Sequence, residues 1–234
     1  MVNVQVVIQA RMGSTRLPGK VMLPIKGKPL LFYLFERLKK YLVVLATTTE
    51  REDDLIEDFC KESKIECLRG HSSDVLLRFI QALKKETTHV VRITADCPLV
   101  DFRIIDQVIK EGVSFDYTSN TLHRTYPRGF DVEMIRKEAL IKAHHQAKKE
   151  VEREHVTPFI YSNPQQFSLH SIEREENDSS FRVTVDTKED FELITKIFEE
   201  LPLECSAEEV ILFLKKHPEM VKMNAHVKQR EIVC

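Results

Sequence analysis

Cysteine is scarce and unpatterned. The five (Cys60, Cys67, Cys97, Cys205 and Cys234) are odd in number and include no Cys-x-x-Cys pair, which argues against a disulfide framework and a structural zinc site. Neither sign of charge is in surplus. Against 35 basic side chains stand 37 acidic ones, so no global field recruits nucleic acid or a membrane surface and any anion site must be local. Membrane-length apolar runs and an N-terminal signal pattern are also missing, and the chain reads as cytoplasmic. With no internal repeat, low-complexity tract or clear linker, one domain over residues 1–234 is expected, from which 120–180 projects as a lobe or dimer arm. An apolar fraction of 42% is enough to build its core.

A second absence is local. No acidic residue precedes Glu36, so Arg11, Arg16, Lys20, Lys26 and Lys28 have no counter-charge near them in sequence. Three of the chain's six glycines (Gly13, Gly19 and Gly27) fall in the same window, Val4 to Pro29. Glycine lets main-chain N–H groups approach a ligand closely, and a strand end, a glycine-containing loop and basic side chains together read as a triphosphate cradle. The alternative is a basic surface loop with solvated charges. Neither familiar cradle fits: five residues separate Gly13 from Gly19 and Val21 follows Lys20, which misses the Walker A pattern and also G-x-G-x-x-G.

The rest of the chain alternates. Short apolar runs at 4–8, 41–46, 65–68 and 89–94 predict strands, and helical spacing predicts helices over 29–40, 49–63, 73–86 and 102–111. Thr49 with Glu52 has capping-box spacing, and Asp101 is placed to cap the fourth helix. Four strand–helix repeats favour a mostly parallel sheet with helices on both faces, where ligands bind beyond the carboxyl ends of the strands. The second half is less regular: strands are expected at 115–119, 129–135, 167–172 and 181–185, and helices over 136–160, 186–200 and 206–216.

Two carboxylates stand where metal ligands would serve a triphosphate. Asp96 ends the fourth predicted strand, and Asp186 precedes a helix; Mg²⁺ suits such sites because it keeps waters and takes its remaining ligands from phosphate. A turn residue (Asp96) and a helix N-cap (Asp186) are the structural alternatives. Asp74 and Arg78, four apart and off the apolar stripe of their helix, read either as an exposed ion pair or as nucleotide neighbours. Cys97 has no base tied to it by sequence and reads as a small buried hydrophobe. His144 and His145 are adjacent and cannot share a helix face, whereas His155 lies in a polar cluster with Glu152, Arg153 and Glu154.

Taken together, IQARMGSTRLPGKVMLPIKGKPLL, VVRITADCPLVD, TSNTLHRTYPRGFDVE, EREHVTPFIY, VTVDTKEDFELI and the tail MNAHVKQ resemble the cytidylyltransferases that activate acidic sugars. Within that superfamily the pattern is most similar to the spore coat polysaccharide biosynthesis protein F family, over nearly the whole chain and in the same order. Ala95 departs from it, where such sequences usually carry Gly before the Asp. The resemblance implies a Rossmann-like, three-layer α/β/α nucleotide-diphospho-sugar transferase fold. It implies transfer of CMP from CTP to a sugar, with pyrophosphate released and no covalent enzyme intermediate. Arg11, Lys20 and Asp96 would be catalytic, and Asp96 and Asp186 would hold Mg²⁺. The nucleotide set would comprise Ala10, Arg11, Gly13, Ser14, Lys20, Ala46, Thr47, Ser73, Asp74 and Thr94. Asn120, Arg128, Asp131 and His155 would face the sugar, and a homodimer is expected. A glycosyltransferase of related fold and a binding-only relative that senses CTP are the alternatives; the first usually carries an Asp-x-Asp motif, whereas Pro98 follows two residues after Asp96.

Overall fold

Alternation of side chains decides how the sheet is sandwiched. In β1 (Val4–Gln9), Val6 and Ile8 face one apolar cluster and Val7 the other, as period-two geometry requires. The computed structural model describes residues 2–229. After β1 the chain makes a small hairpin, β2 (Pro24–Ile25) and β3 (Lys28–Pro29), and enters α1 (Leu30–Leu38). Then follow β4 (Val43–Thr48), α2 (Asp54–Glu62), β5 (Glu66–Gly70), α3 (Val75–Ala82), β6 (His89–Thr94) and α4 (Phe102–Gly112). The second half adds β7 (Tyr117–Ser119), β8 (Glu133–Arg136), α5 (Lys137–Gln146), α6 (Glu150–His155), α7 (Pro158–Tyr161) and β9 (Leu169–Ser171). Three helices close the described chain: α8 (Lys188–Glu200), α9 (Ala207–Lys216) and α10 (Pro218–Lys222).

The sheet runs β5-β4-β1-β6-β8-β7-β9. Its first four strands are parallel, β8 is antiparallel to both neighbours, and β9 runs parallel to β7. The mostly parallel three-layer architecture expected above is therefore the observed one. Helices α1, α2, α4, α8 and α9 cover one face and α3, α5 and α7 the other. The chain winds outward from β1 through β4 to β5, then crosses back to place β6 on the other side of β1. That reversal opens a crevice at the carboxyl ends of β1 and β6, where α/β sheets bind ligands.

Four local expectations are corrected. The stretch Phe181–Val185 is no strand, although its alternation is real: Val183 and Val185 are fully buried. It bonds first to the 128 turn (Arg128 N to the Phe181 carbonyl at 3.1 Å, Val183 N to the Arg128 carbonyl at 2.7 Å), then Val185 N donates to the Asp96 carbonyl at 2.8 Å. Two different loops hold it, so no continuous ladder forms. Residues 136–160 break into three helices, with main-chain interruptions at 147–149 and at Val156, whose φ is 72°. Thr49 does not cap α2, which is entered through a 3-10 turn, Arg51–Asp53. Asp186 is not the cap of α8: Thr187 is, in a capping box with Asp190. The capping role of Asp101 for α4 is as expected, and Ser206 with Glu209 forms a capping box for α9.

The ribbon 181–185 lies close because Gly129 lets it. Gly129 has φ 113°, and a Cβ built there would lie 2.5 Å from the Val183 carbonyl carbon and 2.6 Å from Thr184 N. Both obstacles are main chain and cannot rotate away. Gly129→Ala is therefore expected to destabilise the fold by about 2–4 kcal/mol, from φ strain and overpacking together. Urea unfolding checks this, and a loss below about 0.5 kcal/mol, the range of a neutral surface change, would show that the ribbon is free to shift.

Candidate active site

The cradle is built from the turn that follows β1. Gly19, at φ 67°, starts a short 3-10 turn over Lys20–Met22 that aims the lysine back toward the sheet edge. The N–H groups of Ser14 and Gly19 donate to the Met12 carbonyl at 2.8 and 2.9 Å, so this loop is closed by its own main chain. Its first residue is held from below. The buried carboxylate of Asp53 accepts from Met12 N at 2.7 Å, Thr47 Oγ1 at 2.9 Å and Thr48 N at 3.1 Å. That carboxylate, which sequence pattern did not single out, ties the loop to the end of β4.

Lys20 is the centre of the arrangement. Its ammonium donates to Asp96 Oδ2 at 2.8 Å, to Asp186 Oδ1 at 2.9 Å and to the Val185 carbonyl at 2.7 Å. An ammonium has three donors, and all three are occupied. Burial alone would lower its pKa, but Asp96 and Asp186 outweigh that and raise it, so the charge persists. Burial works equally against both carboxylates, and Lys20 again outweighs it. Asp96 is held below the ordinary carboxylate range, and Asp186, which also receives Arg182 and Arg16, is held at about 2. Asp186 Oδ2 accepts from Arg182 Nη2 at 2.7 Å and lies 2.8 Å from Arg16 Nη2.

These groups line a cleft of about 490 Å³, within the range of small-molecule sites. From the cradle it takes Ala10, Arg11, Ser14, Arg16 and Lys20; from the end of β6 it takes Thr94, Ala95 and Asp96. The far wall carries Arg128, Asp131, His155 and Asp186. Of the residues expected here, Gly13, Ala46, Thr47, Ser73, Asp74 and Asn120 do not line it. Asn120 is fully buried, donating from Nδ2 to the Phe130 carbonyl at 2.7 Å and accepting from Val132 N at 2.9 Å. Ala46 and Thr47 are likewise fully buried. Ser73 is bonded to His71 Nδ1. Asp74 caps α3 through Leu77 N and pairs with Arg153 Nη2 at 2.6 Å.

The Asp74–Arg78 pair does not form. Arg78 is 2% exposed, donates to the His71 and Ser72 carbonyls, and reaches the cleft wall, with its pKa lowered to about 10 by burial and then by Arg11. Cys97 is buried, which, with Asp96 beside it, pushes its thiol well above the ordinary range and keeps it protonated; a thiolate nucleophile is disfavoured. His155 has its pKa lowered, chiefly by burial, against Glu154. Arg11 meets Glu154 only at 3.4 Å in an open setting and stays available.

Several cleft residues had no distinguishing sequence signal. Arg92 lines it with its Nε on Gln9 Oε1 at 3.0 Å and its Nη1 on Glu133, which also accepts from Tyr117 and Thr157. Arg182, which does not itself line the cleft, forks onto the fully buried Asp190 at 2.9 and 3.0 Å. The spacing of Arg182, Asp186 and Asp190, four and eight apart, was the available clue. Arg128 differs from all of them. Both carboxylate oxygens of Asp131 are taken by Arg124, at 2.6 and 2.8 Å, and no ion pair to Arg128 is found among the described residues. Burial and then Arg124 lower its pKa.

Acid should dismantle this centre in a defined window. Asp186 has its pKa depressed from 3.8 to about 2, so its contribution is fully present above pH 4 and is lost as pH falls through 2. By linkage that contribution is on the order of 2 kcal/mol. Lys20→Met removes the largest source of that depression and leaves Arg182 and Arg16, so the stability gap between wild type and variant should narrow as metal-free buffer is taken from pH 6 to pH 3. A gap that does not change across that interval in urea titrations would refute the role given to Lys20.

Comparison with known proteins identifies the family. The family model for cytidylyltransferases matches residues 5–232. The spore coat polysaccharide biosynthesis protein SpsF of Bacillus subtilis is 32% identical over 238 residues, covering 94% of this chain and 97% of that one. A 3-deoxy-manno-octulosonate cytidylyltransferase of Polynucleobacter necessarius is 39% identical over 114 residues, 45% of this chain and 43% of its own. Among solved structures, a cytidylyltransferase from Leptospira borgpetersenii superposes with a TM-score of 0.90 at 33% identity, covering 99% of this chain and all of that one. With the switch-point cleft and its lysine-bridged carboxylates in place, the chain belongs to the cytidylyltransferase family.

Proposed function

We propose that this protein transfers CMP from CTP to an acidic sugar, releasing pyrophosphate, in the synthesis of a surface polysaccharide. The observation that carries the proposal is the Lys20 ammonium bridging Asp96 and Asp186 beside a basic loop at the sheet's switch point. A triphosphate needs cations along its length, and Arg11, Arg16 and Lys20 supply them from one loop. Preorganised cations at the oxygens where charge gathers are the usual source of rate in phosphoryl-type transfer.

The donor set also fits Mg²⁺. Asp96 and Asp186 are brought side by side by the Lys20 ammonium, both are hard oxygen donors, and an ion that keeps several waters needs few ligands from the protein. Among the described residues no group of three or more His, Cys, Asp or Glu is placed to hold a metal ion, so the protein's share would be these two carboxylates. Asp96 and Asp186 would hold the ion, which when bound offsets charge on the departing pyrophosphate. The chain's own part is to orient. Arg11 and Arg16 position the triphosphate, Lys20 keeps a positive charge at its base, and the acceptor hydroxyl approaches the α-phosphorus from the Arg128 side. As the new P–O bond forms, the hydroxyl proton passes to solvent and the bond from the α-phosphorus to the bridging oxygen breaks, which frees pyrophosphate.

An acidic acceptor follows from Arg128. A half-buried guanidinium without a carboxylate partner among the described residues is an anion site in the free protein. Pyrophosphate release with CTP, Mg²⁺ and a panel of sugar acids tests the function directly; release with ATP and GTP equal to that with CTP would refute it. Given the active acceptor, Arg128→Gln should raise its KM about tenfold or more, the value of a charged hydrogen bond, and leave the KM for CTP unchanged. Asp96→Asn and Asp186→Asn should each raise the Mg²⁺ needed, with non-additive effects because both would act on one ion. Metal dependence identical to wild type in both variants would sink the two-carboxylate site.

A further inference from the structure

The tail motif MNAHVKQ, Met223–Gln229, has no role in the account so far, yet it closes on the cleft. Asn224 is buried, and its Nδ2 donates to the Arg182 carbonyl at 3.0 Å and to Asp190 Oδ1 at 2.8 Å. From that anchor the chain runs outward to the cleft. There the Lys228 carbonyl accepts from Arg16 Nη1 at 3.5 Å, and Gln229 Oε1 accepts from Arg182 Nη1 at 2.8 Å. Arg16 and Arg182 are the two guanidiniums that meet Asp186 Oδ2. The tail thus touches both cations that flank one carboxylate of the site.

The direction of the Gln229 amide is set by chemistry. A guanidinium donates and never accepts, so the carboxamide oxygen must face Arg182 and the NH₂ must face away. Gln229 is itself a wall of the cleft, and its Nε2 has no partner among the described residues. Two N–H donors are left there beside Arg16, Lys20 and Asp186. Donors in that company suit an oxyanion.

We propose that Gln229 is a phosphate-contacting residue of the nucleotide site, donating from Nε2 to a triphosphate oxygen, with Asn224 the positioning residue that holds the tail in place. This rests on the CTP reading above. The test is calorimetric titration of CTP and of cytidine into the full chain and into Gln229→Ala, Gln229→Glu and Asn224→Ala, with the melting temperature of each free protein. Gln229→Ala should weaken CTP about tenfold or more, as loss of a hydrogen bond to a charged group does. Its free melting temperature should stay within about 2 °C, as for an exposed site. Gln229→Glu should weaken CTP further by placing a carboxylate against phosphate, while cytidine binds all Gln229 variants equally. Asn224→Ala should reproduce the CTP loss, and adding Gln229→Ala to it should cost nothing more. Unchanged CTP affinity in both Gln229 variants, or an equal loss for cytidine, overturns the inference alone. A wild-type chain that does not bind CTP overturns the CTP reading and the inference with it.

Discussion

One ammonium group holds the site together. Lys20 lies 76 positions from Asp96 and 166 from Asp186, and its three donors join the loop after β1, the end of β6 and the ribbon before α8. Removing three charges from water is costly, and buried ion groups often contribute little net stability against an apolar replacement. Their value here is placement. Two carboxylates this close would repel without the lysine between them, so the cation sets where both must sit before any ligand arrives. The fold around it, from Gly129 to the closed turn at Met12, keeps those three segments in reach.

From that centre charge satisfaction spreads in one direction and stops in another. Asp186 passes to Arg182, Arg182 to Asp190, and Asp190 also receives the Asp186 and Thr187 main-chain N–H groups and Asn224. The cap of α8 and the wall of the site are thus one hydrogen-bonded network, and such networks rigidify when every member is satisfied. On the opposite side Arg124 saturates Asp131, and Arg128 is left over. Outside the Lys20–Asp186–Arg16 centre, closed groups serve as scaffold and open ones are free to meet a ligand. By that criterion Asn120, whose amide is bonded at both ends, belongs to the scaffold, while Arg11 and Arg128 are left open, as the proposed function requires.

Much of the frame was legible because strand and helix periods differ. Val6, Val7 and Ile8 alternate across β1, and Leu76, Phe79 and Ala82 recur at helical spacing on α3. Alternation reports burial of every second residue and nothing about partners, which is why 181–185 read as a strand. Asp96 and Asp186 could be picked from their positions before turns, but Asp53, Arg92 and Gln229 could not. Each acts through a partner far away in sequence, such as Met12 for Asp53 or Arg182 for Gln229. The resemblance placed Thr47 and Asp74 near the nucleotide, and the structure places them one layer back, on Asp53 and Arg153.

The acid-free opening of the chain now has a physical meaning. Its cations find their partners only through the fold: Lys20 on Asp96 and Asp186, Arg16 on Asp186, Arg11 on Glu154, Lys26 on the Phe198 carbonyl. Local acidic residues would have neutralised the loop within a few positions and left nothing to attract a triphosphate. Supplying the counter-charges from β6 and from the chain before α8 does something different. It makes the carboxylate pair and the cationic loop a single object that exists only once the sheet has closed, so a basic segment in the unfolded chain becomes the anion site proposed above, with two carboxylates at its base. Net charge stays near zero, and the field that matters is confined to one cleft.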